Sequence, residues 1–207
     1  MKLFVIFLAF ILMSVCEGPP SPNVDHSKHD HNASNNLTTD HSKMQSSPGA
    51  AQAPQELQFI DTMIAHHHGA VDMALLVNTR TQRDEMKSLA REILEEQRRE
   101  IAQMQQWRDS WFAGAKPAVN MNFPGMGTGM SGMDIGKLNS LKANDFDAEF
   151  LRQMIPHHEG AIEMARALNA RNDFSELQQM ADSIIRSQTA EAAQMKSWLN
   201  DWSASTK

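Results

Sequence analysis

The sequence lacks the residues that several classes of protein need. It has one cysteine, Cys16, which excludes an intrachain disulfide. Beyond the first residues it has no apolar run long enough to cross a bilayer. It also lacks an excess of positive charge, because the formal net charge is −6, and this argues against nucleic acid as a partner. These absences predict a soluble, mildly acidic body.

The N-terminus resembles a secretory signal peptide. An apolar run occupies residues 3–13 and is followed by a polar, proline-rich stretch. The run is too short to span a membrane, which is typical of a signal peptide. Ser14 and Cys16 supply the small residues needed for cleavage, so residues 1–16 are predicted to be removed. Lipoprotein anchoring through Cys16 is the alternative, which the preceding valine disfavours. We therefore expect a periplasmic or secreted protein with no transmembrane span in its mature form.

Residues 17–53 are rich in proline, serine, asparagine, aspartate and histidine and contain few large apolar residues. Such a segment cannot bury enough surface to offset the entropy of ordering it, so a disordered tail is predicted. Its four histidines are His26, His29, His31 and His41. Imidazole-rich tracts bind divalent copper, zinc or nickel with little selectivity, although a solubilising spacer is an equally good interpretation.

One unit of the sequence occurs twice, at a constant offset of 91 residues. Residues 59–74 and 150–165 share the pattern Met-Ile-x-His-His-x-Gly-Ala-x-x-Met-Ala. The same offset relates downstream glutamine, glutamate, methionine and tryptophan residues, which are Gln97 and Gln188, Glu100 and Glu191, Met104 and Met195, Trp107 and Trp198, and Trp111 and Trp202. One structural unit has therefore been duplicated.

Apolar residues follow helical spacing throughout this duplicated region, and no segment shows sustained strand alternation. Four helices are predicted, at residues 54–78, 82–112, 145–170 and 174–202. The short links within each repeat predict antiparallel hairpins. The prediction is an all-α, ferritin-like four-helix bundle that forms one domain at residues 54–203. It consists of repeat one at 54–112, a crossover loop at 113–144 and repeat two at 145–203. The methionine- and glycine-rich crossover is predicted to lack regular structure.

The first and third helices carry a recurring inward face. A step of about 100° per residue places the histidine doublets and flanking methionines on one stripe. These inward residues are Met63, His66, His67 and Met73, and Met154, His157, His158 and Met164. His68 falls at the edge of the stripe, where it is expected to pair with Asp72 at the surface.

The second and fourth helices bring carboxylates to the same interior. Their inward stripes hold Gln97, Glu100 and Met104, and Gln188, Glu191 and Met195. A buried carboxylate needs a partner, and each hairpin offers one in its histidine pair. Glu100 and Glu191 are therefore predicted to accept hydrogen bonds from imidazole N–H groups, leaving the other ring nitrogen for a metal ion. A self-contained polar network without metal is the alternative.

A further set of thioethers lies in the crossover, at Met121, Met126, Met130 and Met133. Methionine is a soft ligand that selects Cu(I), although a methionine-rich loop can also pack as a pliable plug. Adjacent inward imidazoles are costly to bury without partners, which favours metal binding over simple packing.

Three residues interrupt the helical pattern. Gly69 and Gly160 lie in mid-helix, where each costs about 1 kcal/mol relative to alanine, and close approach of helices is the simplest reason for them. Pro156 stands where the first copy has Ala65. It is predicted to kink the third helix or start a new one, and so to make the two half-sites unequal.

The doubled histidine–methionine signature and the downstream Gln, Glu, Met and Trp series resemble the domain of unknown function 305 family. The resemblance covers residues 54–202, including Pro124 to Met126. It implies a ferritin-like extracytoplasmic bundle. The sequence is similar in particular to cyanobacterial periplasmic members that bind copper, and this similarity implies a role in copper tolerance. By this resemblance the copper ligands are Met63, His66, His67, Met73, Met104, Met154, His157, His158, Met164, Met195 and the crossover methionines.

Three functions are compatible with these patterns. The first is a copper-binding protein that sequesters Cu(I), and Cu(II) through its tail, and passes it to an exporter or cuproenzyme. The second is a ferritin-like dinuclear metal oxidase, against which the sequence has no Glu-x-x-His motif. The third is a metal-free structural module. No glycine-rich phosphate loop or cysteine nucleophile supports an enzyme, so we expect a binding protein.

Overall fold

The computed structural model describes residues 44–168 and 174–204, and within these ranges the regular structure is helical. The α-helices of this part are α1 (Gln55–Arg80), α2 (Asp84–Trp111), α3 (Met126–Met130), α4 (Ile135–Ser140), α5 (Ala143–Ala167) and α6 (Ser175–Ala204). α1 packs on α2, α5 packs on α6, and the two hairpins meet along α1 and α5. The predicted all-α fold of two hairpins is confirmed. Among the described helices, none is long and apolar enough to cross a membrane.

The core lies where α1 meets α5. Both helices bury residues on more than one face, because each also packs on its hairpin partner. Phe59 and Phe150, at equivalent positions of the two repeats, are fully buried. α2 and α6 bury one stripe each and expose the remainder, which is the pattern expected of outer helices.

The ordered domain begins earlier than residue 54. The predicted signal peptide and the tail histidines lie outside the described residues, but residues 44–53, also assigned to the tail, have defined structure. They include a 3₁₀ turn at Ala50–Gln52, in which Ala50 is buried. The predicted boundary is therefore wrong, because hydrogen bonds to a distant loop hold a segment that composition alone marks as disordered.

The crossover also contains helices, so its predicted lack of regular structure is wrong in part. Gly125 has φ of 86°, a left-handed conformation that suits glycine, and α3 begins directly after it. α3 packs on both α1 and α5. Tertiary packing supplies the stability that this glycine-rich sequence lacks intrinsically. Asp134 is the N-cap of α4, and its side chain accepts a hydrogen bond of 2.7 Å from the backbone N–H of Lys137.

Pro156 lies inside α5, which continues from Ala143 to Ala167. The prediction that a new helix starts at this proline is therefore wrong. Proline removes one hydrogen bond from the helical ladder. Buried residues on both sides of it, Met154 and Ala161 among them, hold the two halves against the core.

Candidate metal centre

The four inward histidines lie at the contact between α1 and α5. His66, His67, His157 and His158 are all fully buried, whereas His68 is exposed, as the helical projection predicts. The rings of His66 and His157 meet across the two repeats, with centroids 3.7 Å apart. Four imidazoles are therefore held in the interior of the protein, two from each repeat.

His157 is fixed in one tautomer by the opposite repeat. Its Nε2 lies 3.0 Å from the backbone carbonyl oxygen of His66. A carbonyl can only accept, so His157 Nε2 carries the proton and Nδ1 carries the lone pair. The ring nitrogen that can bind a metal is thus Nδ1.

The second histidine of each doublet bonds to the glutamate predicted for it. His67 Nε2 lies 2.8 Å from Glu100 Oε2, and His158 Nε2 lies 2.6 Å from Glu191 Oε2. The carboxylate accepts a hydrogen bond from the Nε2–H group, so the lone pair is on Nδ1, as is common for histidines that ligate metals. The hydrogen bonds expected from the sequence are present in both repeats.

In the described part of the chain, each repeat also buries two polar atoms without hydrogen bonds, one on the second histidine and one on the inward glutamine. Among the described residues, Nδ1 of His67 and of His158 has no hydrogen-bond partner, and neither has the amide oxygen of Gln97 or of Gln188. A buried polar atom left unsatisfied costs about 1–3 kcal/mol. The same atoms are left in both repeats. Lone pairs kept in this state fit a site that receives a ligand, so the residues present suit a metal ion.

Nine of the predicted methionine ligands are buried in the core that surrounds these histidines. They are Met63, Met73, Met104, Met126, Met130, Met133, Met154, Met164 and Met195. Met121 is half-buried at the edge of the same core. Thioethers therefore line the interior on the helices of both repeats and on the crossover.

Glycines allow the crossover to approach the buried histidines closely. A Cβ added at Gly69 would lie 2.9 Å from the Met133 sulfur and 3.2 Å from His157 Nε2. A Cβ added at Gly129 would collide with His66 Nε2. The expectation of close approach is confirmed, but at these glycines the crossover is what approaches. It places the Met133 thioether and the histidines of both repeats around one small volume.

Within the described ranges, no three side chains drawn from histidine, cysteine, aspartate and glutamate converge on a common metal position. Carboxylate-rich iron sites of ferritin-like proteins depend on such convergence. The donors buried with these imidazoles are thioethers, and a set of imidazole and thioether donors suits soft metals.

Glu96 on α2 belongs to this region and escaped the sequence prediction. Burial raises its pKa, and so do the nearby carboxylates of Glu100 and Glu191, while Ser187 and Arg99 oppose the shift. Glu96 lies on α2 and Glu191 on α6, so this electrostatic influence acts between the two outer helices. Helical periodicity describes each helix separately, so it could not predict this influence between residues of different helices.

The profile of the family described as domain of unknown function (DUF305) matches residues 56–199. CopM in its Cu(I)-bound form is 39% identical with a TM-score of 0.61, covering 71% of this chain and 96% of that one. The Cu(II)-bound form of CopM is 38% identical with a TM-score of 0.60, covering 71% and 98%. A DUF305 protein from Streptomyces coelicolor, named as a candidate secreted protein, is 27% identical with a TM-score of 0.63, covering 72% and 92%.

No curated protein matches the chain. The family profile nevertheless spans both repeats, and the solved structures that match share the helical fold described above. This chain belongs to the DUF305 family.

Proposed function

We propose that this protein binds copper at the contact between α1 and α5 and sequesters or carries it as Cu(I) outside the cytoplasm. The observation that carries the proposal is the repeated pair of buried Nδ1 atoms, on His67 and His158, that have no hydrogen-bond partner among the described residues. Each belongs to an imidazole ring whose Nε2 is hydrogen-bonded to a glutamate. The lone pairs are therefore presented inward and held in one orientation.

The donor set favours the monovalent ion. Imidazole and thioether are neutral, and thioethers are soft ligands that select Cu(I) over harder cations. Buried methionines surround the histidines, and Met133 lies beside His157 at Gly69. The solved relative CopM, with 39% identity, has Cu(I)-, Cu(II)- and silver-bound forms, which supports copper as the cargo.

The role proposed is binding without turnover. Holding copper in an extracytoplasmic compartment would contribute to copper tolerance, with a copper exporter or a cuproenzyme as recipient. A dinuclear oxidase is less well supported, because the described residues bring no carboxylate–histidine cluster of three together. The relative named as a candidate secreted protein supports the extracytoplasmic location.

An anaerobic Cu(I) titration against a chromophoric competitor tests the proposal, with Zn(II) and Fe(II) run in parallel. We expect stoichiometric Cu(I) binding that outcompetes both other metals. His67→Gln and His158→Gln each keep a side-chain N–H for the glutamate but remove the imidazole, so each is expected to weaken Cu(I) binding. His68→Gln is the matched control, because His68 is exposed on the same helix. Absence of Cu(I) binding, with Fe(II) bound and oxidised instead, would refute the proposal.

The tail is proposed to add Cu(II) sites. Replacing His26, His29, His31 and His41 by alanine in the full chain separates these sites from the buried centre. We expect Cu(II) binding to fall while Cu(I) binding is retained, because imidazoles suit Cu(II) and the thioethers lie in the bundle. Unchanged Cu(II) binding would leave the tail as a spacer.

A further inference from the structure

In the described part of the chain, few methionines are accessible to a copper ion in solution. Among the described residues, the methionines that are not buried are Met44, Met121 and Met180. All three are half-buried and pack on the edge of the core. Within the described part of the chain, these three are the thioethers that an incoming ion can reach from solvent.

Two hydrogen bonds join the N-terminal segment, which carries Met44, to the segment that carries Met121. The Ser47 N–H donates to the Val119 carbonyl over 2.8 Å, and the Met121 N–H donates to Ser46 Oγ over 2.9 Å. Residue number rises along one segment as it falls along the other, so the two run antiparallel. Met44 lies two residues before Ser46 in the sequence, and the Ser46 side chain binds the backbone of Met121.

The first turns of α1 fasten both segments. Asn120 donates from its backbone N–H to Thr62 Oγ1 over 2.9 Å and from its side chain to Gln58 Oε1 over 2.8 Å. Gln58 in turn donates to the Ala53 carbonyl over 2.7 Å. The juxtaposition is thus held from one helix, through polar groups on both segments.

From this place the chain leads directly to the buried centre. Past Met121 it turns at Phe123, whose N–H donates to the Asn120 carbonyl, and Met126 is already fully buried. Met126 opens α3, which carries Gly129 against His66. In the other direction, His41 precedes Met44 by three positions in the sequence. In the order of the sequence, Met44 and Met121 therefore follow the histidine tract, and Met121 precedes the buried crossover methionines.

We propose that Met44 and Met121 form a solvent-accessible loading site, where an incoming Cu(I) ion is first captured by two thioethers. This inference rests on the proposed function. The transfer is a ligand exchange without redox change, in which a bond from copper to a donor ligand breaks as a copper–sulfur bond forms. Two thioethers leave the coordination incomplete, so the next ligand can attach before the previous one leaves.

Stopped-flow transfer of Cu(I) from a coloured bicinchoninate complex to the full chain, without oxygen, tests the loading site. The variant is Met44→Leu with Met121→Leu, since leucine keeps the volume and removes the sulfur. Met180→Leu is the matched control, because Met180 is equally half-buried and lies on α6. We expect the double variant to take up Cu(I) about tenfold more slowly, which corresponds to roughly 1.4 kcal/mol in the barrier. The control should match the wild type.

Equilibrium titration of the same proteins distinguishes failure of the loading site from failure of the proposed function. Tight Cu(I) binding by the wild type, with equal uptake rates in all three proteins, would overturn the loading site alone. No Cu(I) binding by the wild type would refute the proposed function and the loading site together. Circular dichroism verifies folding, and the single variants Met44→Leu and Met121→Leu provide the same test if the double variant fails to fold.

Discussion

The two repeats present the same histidines and glutamates, yet a single crossover segment must pack against both. In repeat one, Gly69 faces the end of the flexible Met133 side chain. In repeat two, the equivalent Gly160 faces the backbone of Gly125 and Gly129. Duplication of a sequence therefore gives two similar half-sites, but one inserted segment cannot make the same contacts to each. At these two positions the asymmetry comes from the crossover, because the residue is glycine in both repeats.

The outer ends of the hairpins differ in the same way. In repeat one, the Trp111 ring is covered by Phe174 from the other repeat, with centroids 4.2 Å apart. At the equivalent place in repeat two, Trp202 is covered by the Arg83 guanidinium, 4.1 Å from the ring centroid. Phe174 and Arg83 are themselves related by the repeat offset. One hairpin is closed by aromatic stacking and the other by a cation–π contact.

The largest expected difference concerns the histidine–glutamate pairs. The Glu100 side chain is 4% exposed and that of Glu191 is 15% exposed. His67→Ala leaves the Glu100 carboxylate without its hydrogen-bond donor in a place that water hardly reaches. We expect this change to lower the free energy of unfolding by about 3–5 kcal/mol. His158→Ala leaves a carboxylate that water can partly solvate, so its cost should be smaller, at about 1–3 kcal/mol. Urea unfolding of the metal-free proteins measures both.

His67→Gln and His158→Gln are the matched controls for this comparison. Each retains an N–H that can donate to the glutamate, so each should recover part of the stability lost by the alanine variant. Equal losses for His67→Ala and His158→Ala would show that the exposure of the glutamates does not govern the difference between the repeats.

The next effect concerns the equivalent glycines. An added Cβ at Gly160 would lie 2.6 Å from the Cα of Gly129, and backbone cannot move aside cheaply. Gly160→Ala is therefore expected to destabilise by about 1–3 kcal/mol even after the gain in helix propensity. Gly69→Ala meets the flexible end of Met133 and, at 3.2 Å, the His157 ring, so its propensity gain of about 1 kcal/mol should roughly offset the displacement. Denaturant midpoints at unchanged slope measure the two changes. Comparable losses in both variants would contradict an asymmetric crossover.

A smaller effect is expected at the hairpin ends. Arg83→Lys keeps a positive charge near Asp147, with which Arg83 forms an ion pair of 3.2 Å, but it loses the planar group over Trp202. We expect a loss of about 0.5–1 kcal/mol, the usual worth of an exposed cation–π contact. Phe174→Leu is the counterpart in the other half and should cost about 0.5–1.5 kcal/mol through the lost ring pair. Urea unfolding followed by tryptophan fluorescence measures both, and stability unchanged in Arg83→Lys would show that the contact with Trp202 contributes nothing.

Helical periodicity and the repeat offset were sufficient to predict the hairpins, the inward histidines and their glutamate partners. These features depend on residues a few turns apart or on a register that recurs. The structured crossover was missed because Gly125 and Gly129 look like breakers, and only contact with Gly160 reveals that their lack of side chains permits packing. The early start of the domain at Met44 was missed for a related reason, since hydrogen bonds to residues 119–121 hold it. Long-range contacts made by polar and small residues leave no periodic signal.

The smallest effect concerns Glu96, whose contribution to stability should depend on pH. The pKa of Glu96 is raised by burial and by Glu100 and Glu191, so its ionised form is less favourable in the folded state than in the unfolded state. Stability should therefore fall as the pH rises from the unfolded pKa through the folded one. Glu96→Gln should raise the free energy of unfolding at neutral pH by about 0.5 kcal/mol, allowing for solvent screening.

Glu149 supplies a control of opposite sign. Burial acts to raise its pKa, but hydrogen bonds from Lys137 and Gln153 and the nearby positive charges outweigh burial and lower it. Its stabilisation is present above the unfolded pKa and lost as the pH falls through the folded one. Glu149→Gln should therefore destabilise the protein at neutral pH, by about 0.5 kcal/mol, and both variants should converge on the wild type in acid. If Glu96→Gln shifts stability equally at every pH, its effect is packing, and the carboxylates of α2 and α6 do not repel one another in the folded protein.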